Sequence, residues 1–147
     1  MYKHMLVPTD GSALSMKAVR TATTLAKLLG ARVTGLFVMP ANSGFNAEGS
    51  TAGHEIVDKH LRESATRDGK KALAAIEIEA STSTVAYDGL LEAGEEAWKV
   101  ITDIAESKKC DLIVMASHGR KGLEGLLLGS ETVKVLTHTK IPVLVCR

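Results

Sequence analysis

The chain has 147 residues, 45% hydrophobic and 24% charged, a balance that fits one domain able to bury a core without metal or disulfide staples and argues against a disordered or membrane-embedded chain. Eighteen basic and seventeen acidic side chains leave a net charge of +1, so there is no basic footprint for nucleic acid or an anionic membrane, and any anionic ligand must be held locally. Only 3% of residues are aromatic, so the core has to be aliphatic.

Met5-Leu6-Val7 is the centre of a buried strand that ends in the turn cluster Pro8-Thr9-Asp10-Gly11-Ser12. This opening apolar run is too short for a signal-peptide core or a membrane span, so the expected location is cytoplasmic. Ser12 is a natural N-cap for a helix over 13–29, whose inward stripe is Ala18, Val19, Ala22, Leu25, Ala26 and Leu29, with Gly30 as its stop. Residues 32–39 read as a strand covered on both faces. The polar stretch 40–53 reads as a mobile loop, and 55–78 as a helix in which Gly69 invites a break or bend.

The hydroxylated run 81–87 suits a strand near a sheet edge, ended by Asp88-Gly89. A helix is expected over 92–108, with Ala97, Val100, Ile101, Ile104 and Ala105 turned inward and Trp98 flanking them. Residues 111–116 form the next buried strand, 131–139 a helix, and 142–146 a last strand that starts on a tolerated proline. Cys110 and Cys146 stand at strand ends without zinc-ligand or redox spacing, so both are expected as thiols.

Strand and helix alternate to a fifth strand, which predicts an α/β, doubly wound, five-stranded parallel sheet with helices on both faces, as one domain over 1–147. Ligands in such sheets bind beyond the carboxyl ends of the strands, where strand order reverses. The loops 8–12 and 116–130 both leave such ends, which favours order 3-2-1-4-5. The second loop reads Ala-Ser-His-Gly-Arg-Lys-Gly-Leu-Glu-Gly-Leu-Leu-Leu-Gly-Ser. Gly119 and Gly129-Ser130 offer close backbone approach, free amides and a hydroxyl where a helix begins, the setting that attracts phosphate. Neither a P-loop nor a Gly-x-Gly-x-x-Gly fingerprint is present.

The residues of this loop, with Leu6-Val-Pro-Thr-Asp-Gly-Ser12, Asp111-Leu-Ile-Val-Met115, Leu127-Leu-Gly-Ser130 and Ile141-Pro-Val-Leu-Val145, resemble the universal stress protein family over the whole chain. The family's signature is glycine, two residues, glycine, nine residues, glycine, then serine or threonine. Gly119, Gly129 and Ser130 match it, and Ala116 stands at the first glycine. The resemblance implies a Rossmann-like, adenine nucleotide alpha hydrolase-like sheet. It also implies ATP with Mg2+ or Mn2+, its adenosine side met by Pro8, Thr9, Asp10 and the backbone near Val38. The phosphates would be held by the segment carrying Ala116, Ser117, Gly119, Gly129 and Ser130.

It further implies a homodimer through the last strand, a short apolar edge open to pairing. No base or arginine is evident for hydrolysis, so the expected role is a stress-response binding module with at most slow ATPase activity. Ala116 keeps open a second class, a dimeric interaction protein that does not retain nucleotide. A phosphorylated receiver is disfavoured because the paired acids and the terminal lysine it needs are replaced by Thr9-Asp10 and Cys146-Arg147. The bland readings are a turn aspartate at Asp10, a capping serine at Ser130, a solvated pair at Arg120 and Lys121, and a structural or solvent-facing His118.

Overall fold

Alternation of buried strands and amphipathic helices resolves into one parallel sheet in the computed structural model, which describes residues 1–41, 52–120 and 128–147. The elements are β1 His4–Pro8, α1 Ala13–Leu29, β2 Arg32–Pro40, α2 Ala52–Thr82, β3 Tyr87–Gly94, α3 Ala97–Ser107, β4 Leu112–Ala116, α4 Ser130–His138 and β5 Val143–Cys146. Strand order is β3-β2-β1-β4-β5, so β1 lies at the centre and its neighbours run off in opposite directions. The predicted order and fold class hold. Most of the expected loop over 40–53, and Lys121, Gly122 and Gly125 of the second loop, lie outside the described residues.

Period-two alternation divides the core in two. Met5, Val7, Val33, Leu112 and Val114 face α1 and α2, where Ala18, Ala22, Ala26, Ile76 and Ala80 meet them. Leu6, Leu36, Ile113 and Met115 face α3 and α4, against Ile101, Ala105 and Val135. Because the α1 stripe is mostly alanine, this helix can lie close to the sheet. Ser12 caps it by accepting from Ser15 N–H, and Gly30 ends it at φ +62.

Three local expectations need correction. The helix α2 runs unbroken through Gly69, because the missing side chain lets helix and sheet approach: a Cβ there would stand 2.8 Å from Phe37 Cδ1 and closer still to Leu91. The run 81–86 is the end of α2 and a turn, with Thr84 at φ +59 and Val85 N–H donating to the Ala80 carbonyl. Hydroxylated, β-branched residues supplied strand propensity there, but the helix runs on to Thr82, whose hydroxyl donates to the Ile78 carbonyl.

Asp88-Gly89 therefore lies inside β3 instead of ending it. The Tyr87 hydroxyl occupies the space that a Cβ at Gly89 or at its partner Gly35 would need, and donates to the Leu73 carbonyl at 3.0 Å. The segment 92–94 accordingly belongs to β3, and α3 begins at Ala97.

Candidate functional site

The carboxyl ends of β1, β2 and β4 meet where strand order reverses. Beyond Pro8 the backbone stays bound to β2, as Thr9 N–H donates to the Leu36 carbonyl at 2.9 Å. Thr9 is 7% exposed, and its hydroxyl meets Ser15 Oγ at 3.0 Å and accepts from Gly11 N–H at 3.1 Å. These bonds fix the turn that presents Asp10.

Arg32 N–H donates to the Lys3 carbonyl and the Leu36 carbonyl accepts from Thr9, so even-numbered residues of β2 turn their peptide groups toward β1. Val38 continues that phase past the register pair Pro8–Leu36, where β1 ends. Its N–H and C=O thus face the crevice, and its side chain packs toward α3 and α4.

Across the switch point, Ala116 closes β4 opposite Cys146. It is 9% exposed and follows Leu112 and Val114 in the alternation that faces α1, so its methyl joins the core. Ser117 is buried and works as a bracket: its N–H donates to the Cys146 carbonyl at 2.8 Å, and its own carbonyl accepts from Gly129 N–H at 2.6 Å. A Cβ on Gly129 would stand 3.0 Å from His118 Cβ and 3.1 Å from its Cα. A side chain at this position would crowd the return of the chain onto β4.

The α4 helix opens with Gly129, not Ser130, at its N-cap, and no side chain caps it. Ser130 is instead its first helical residue, and the close approach to His118 leaves little room for a side chain at the cap. The first-turn amides of Ser130, Glu131 and Thr132 have no intrahelical acceptor, which leaves donors and positive helix-dipole charge at the crevice. The Glu131 carboxylate leans away and accepts Trp98 N–H at 2.8 Å, thereby capping α3. Thr132, buried and missed in the sequence, donates its hydroxyl to the Ala116 carbonyl at 3.1 Å and ties the helix start to the strand end.

The Asp10 carboxylate accepts Ser12 N–H at 2.9 Å through Oδ1 and Arg120 N–H at 2.6 Å through Oδ2. Burial acts to raise this carboxyl, but bonds from Ser12, Arg120 and Ser15 outweigh it and hold the group below its usual 3.8. The sequence pointed to Asp10 but not to its partner, since no short spacing links residues 110 positions apart. Arg120, read as one of a solvated basic pair, folds its guanidinium over Gly11.

Ser117 Oγ and His118 Nδ1 do meet, at 3.1 Å, although adjacent residues seldom do so on a loop. Among the described residues no carboxylate orients the ring's other nitrogen, so the pair lacks the third member of a nucleophilic triad. The described residues hold no cluster of His, Cys, Asp and Glu suited to a metal ion. Two surface hollows of about 350 and 320 Å3 lie at the opposite, amino end of the sheet, lined by residues such as Leu29, Leu112 and Val143, or Gly30 and Val85. Neither includes a residue of the crevice.

The model of the universal stress protein family matches residues 1–147. Universal stress protein MJ0531 of Methanocaldococcus jannaschii is 35% identical over 149 residues, spanning 100% of this chain and 83% of that protein. The structure of UspA from Lactobacillus plantarum superposes with a TM-score of 0.82 at 25% identity, covering 99% of this chain and 98% of the other. The same fold recurs in a universal stress protein in complex with cAMP, at TM-score 0.73 and 24% identity over 99% of this chain and 97% of that one. It recurs again in the Archaeoglobus fulgidus protein in complex with dAMP, at 0.64 and 19% over 99% and 98%.

Proposed function

This chain belongs to the universal stress protein family, and from that premise we propose that it binds an adenine nucleotide, ATP in the first instance, between the ends of β1 and β4. The observation that carries the reading is the convergence of three sets of backbone groups on one crevice. These are the turn over 8–10, the peptide groups of Val38, and the free amides of Ser130, Glu131 and Thr132 that open α4. Peptide groups of an extended strand can meet the edge of a base, and a helix start can receive phosphate. The two relatives of the same fold with cAMP and dAMP agree with an adenine ligand.

Pro8, Thr9, Asp10 and Val38 form the adenosine side in this reading, and Ala116, Ser117, Gly119, Gly129 and Ser130 the phosphate side. Ala116 is compatible with it, since its methyl is taken up on the α1 side of the sheet. A divalent ion, Mg2+ or Mn2+, would arrive on the phosphates, whose charge it offsets, because the described residues offer it no cluster of their own. The bound state acts as a regulatory module in the cytoplasm, with little hydrolysis: the Arg120 guanidinium lies over Gly11, and among the described residues no base stands ready for a water.

A homodimer through β5 belongs to the same proposal, because this strand is an edge of the sheet and Leu144, Val133 and Leu136 stay exposed beside it. Calorimetry with ATP and Mg2+, backed by nucleotide extraction from the purified protein, tests the reading. Saturable 1:1 binding is expected, with turnover far below the ~1–100 per second of kinases. A protein that takes up no adenine nucleotide favours the dimeric interaction class instead.

A further inference from the structure

Two hydroxyls interrupt the otherwise apolar buried face of α1, and they are bonded differently. Thr23 returns its hydrogen to its own helix, meeting the Val19 and Arg20 carbonyls at 3.1 Å. Ser15 stands one turn before Ala18 and Val19 on that face and is 2% exposed, too enclosed to touch a ligand. A hydroxyl buried there is costly unless it is bonded, and its bonds reach out of the helix to the turn after β1. Its hydrogen is taken by acceptors of that turn: the Ser12 carbonyl lies at 2.8 Å. Ser15 also adds to the bonds of Ser12 and Arg120 that, against the opposing effect of burial, hold the Asp10 carboxyl below its usual 3.8.

With that hydrogen spent, the one between Ser15 Oγ and Thr9 Oγ1, 3.0 Å apart, has to come from Thr9. Thr9 Oγ1 in turn accepts Gly11 N–H at 3.1 Å. The bonds thus run in one direction, from Gly11 to Thr9 to Ser15 to Ser12, and tie down the residues on both sides of Asp10. The two ends are anchored in larger elements, Thr9 N–H on the Leu36 carbonyl and Ser12 as the N-cap of α1. Resting on the nucleotide reading above, we propose that Ser15 is a positioning residue for the adenosine side of the crevice, which takes the Thr9 hydroxyl from beneath and holds the turn that presents Asp10 to the nucleoside. Thr9 and Asp10 keep their place on the adenosine side, and Ser15 is the support under them.

Ser15→Ala removes the hydroxyl alone: the bond to Ser12 Oγ comes from the backbone N–H of residue 15 and keeps the cap, and the Ser12 carbonyl still accepts Met16 N–H. Calorimetry on the full chain should show adenosine and ATP weakened by the same factor in this variant, about 3- to 10-fold, the scale of one lost hydrogen bond. In the ligand-free variant the amides of Gly11 and Ser12 should exchange hydrogen faster, while those of β4 and α4 keep their rates. Thr9→Val combined with Ser15→Ala, which leaves no hydroxyl of the pair unpartnered, should fold as the wild type does and bind adenosine no better than Ser15→Ala. Adenosine affinity unchanged in both variants overturns the proposal. So does an ATP loss several-fold beyond that of adenosine, which would put the effect on the phosphate side. Unaltered exchange at Gly11 and Ser12 overturns it as well, with no ligand needed. Wild-type protein that binds neither ATP nor adenosine overturns the nucleotide reading itself, a result distinct from these.

Discussion

The two ends of the sheet solve opposite problems around the same two strands, β1 and β2. At the carboxyl end, β1 and β4 stop and diverge, and the space is bordered by backbone groups and by Gly119 and Gly129. At the amino end, polar side chains close the gap. His4 Nε2 meets Thr34 Oγ1 at 2.7 Å, Thr34 Oγ1 donates to Asp88 Oδ1 at 2.7 Å, and Arg32 and Lys108 flank that carboxylate at 3.0 and 3.5 Å. His4, Thr34 and Asp88 sit two residues before Leu6, Leu36 and Leu90 on the same face of the sheet, so one row of side chains, stepped by two residues between β1 and β2, crosses β1, β2 and β3 beneath the end of α3. Asp111 completes the closure by accepting the N–H groups of Lys3 and His4. An open end made of backbone can receive a ligand, whereas a closed end made of matched side chains can only contribute stability.

The largest effect expected from testing this contrast is at the open end. Gly129→Val places branched carbon within about 3 Å of the His118 backbone, so α4 must shift away from Ser117. ATP affinity should fall at least ~100-fold in calorimetry, about 2.7 kcal/mol, with circular dichroism showing that the fold persists. If binding survives intact, the phosphate site is not at this helix start.

Next comes the closed end, where Thr34→Val keeps the volume but removes the middle of the row. His4 and Asp88 then lose a shared partner in a buried setting, at a cost of about 1–3 kcal/mol in urea unfolding, while ATP affinity should not change. A loss of nucleotide binding in this variant would show that the two ends are coupled.

A smaller effect is expected at Gly69→Ala, where two forces oppose. Helix propensity favours alanine by ~1 kcal/mol, but the new Cβ overlaps Leu91 and Phe37, and overpacking costs about 1–3 kcal/mol. The contact should win, lowering stability by about 1 kcal/mol, and a rise in the unfolding midpoint would contradict the packing account.

Gly69 also marks where the sequence stopped being readable. Topology, the α1 boundaries and both caps of that helix were legible, because apolar period, Ser12 and Gly30 are local signals. The reason for Gly69 was not, since it lies in Leu91 and Phe37, on strands distant in sequence. The β3 boundaries failed for the same reason: what keeps Asp88-Gly89 in a strand is the Thr34 hydroxyl and the Tyr87 ring. In the candidate site, spacing and family resemblance pointed to Asp10, Gly119 and Gly129, but Thr132 and the Arg120 partner of Asp10 depend on how β1 and β4 meet.

The smallest expected effect is a pH dependence that belongs to the closed end alone. Burial, then the nearby Arg32 charge, lowers the pKa of His4 from 6.5, against the opposing pull of Asp88, the Lys108 carbonyl and Asp111. With Asp88 ionised, the one hydroxyl hydrogen of Thr34 goes to that carboxylate, so His4 Nε2 must carry the hydrogen it shares with Thr34, consistent with a neutral ring. The unfolded chain then binds a proton below pH 6.5 that the folded chain refuses, and stability should decline as pH falls from about 6.5 toward the lower folded value. Asp88, also held below its usual 3.8, adds its own loss only in more acid solution. Urea midpoints at pH 7.5 and 5.5 should therefore differ in the wild type and differ less in His4→Gln, which cannot take up that proton. Equal pH slopes in the two proteins would mean that the row tolerates a charged His4, and that its closure rests on packing rather than on a neutral ring.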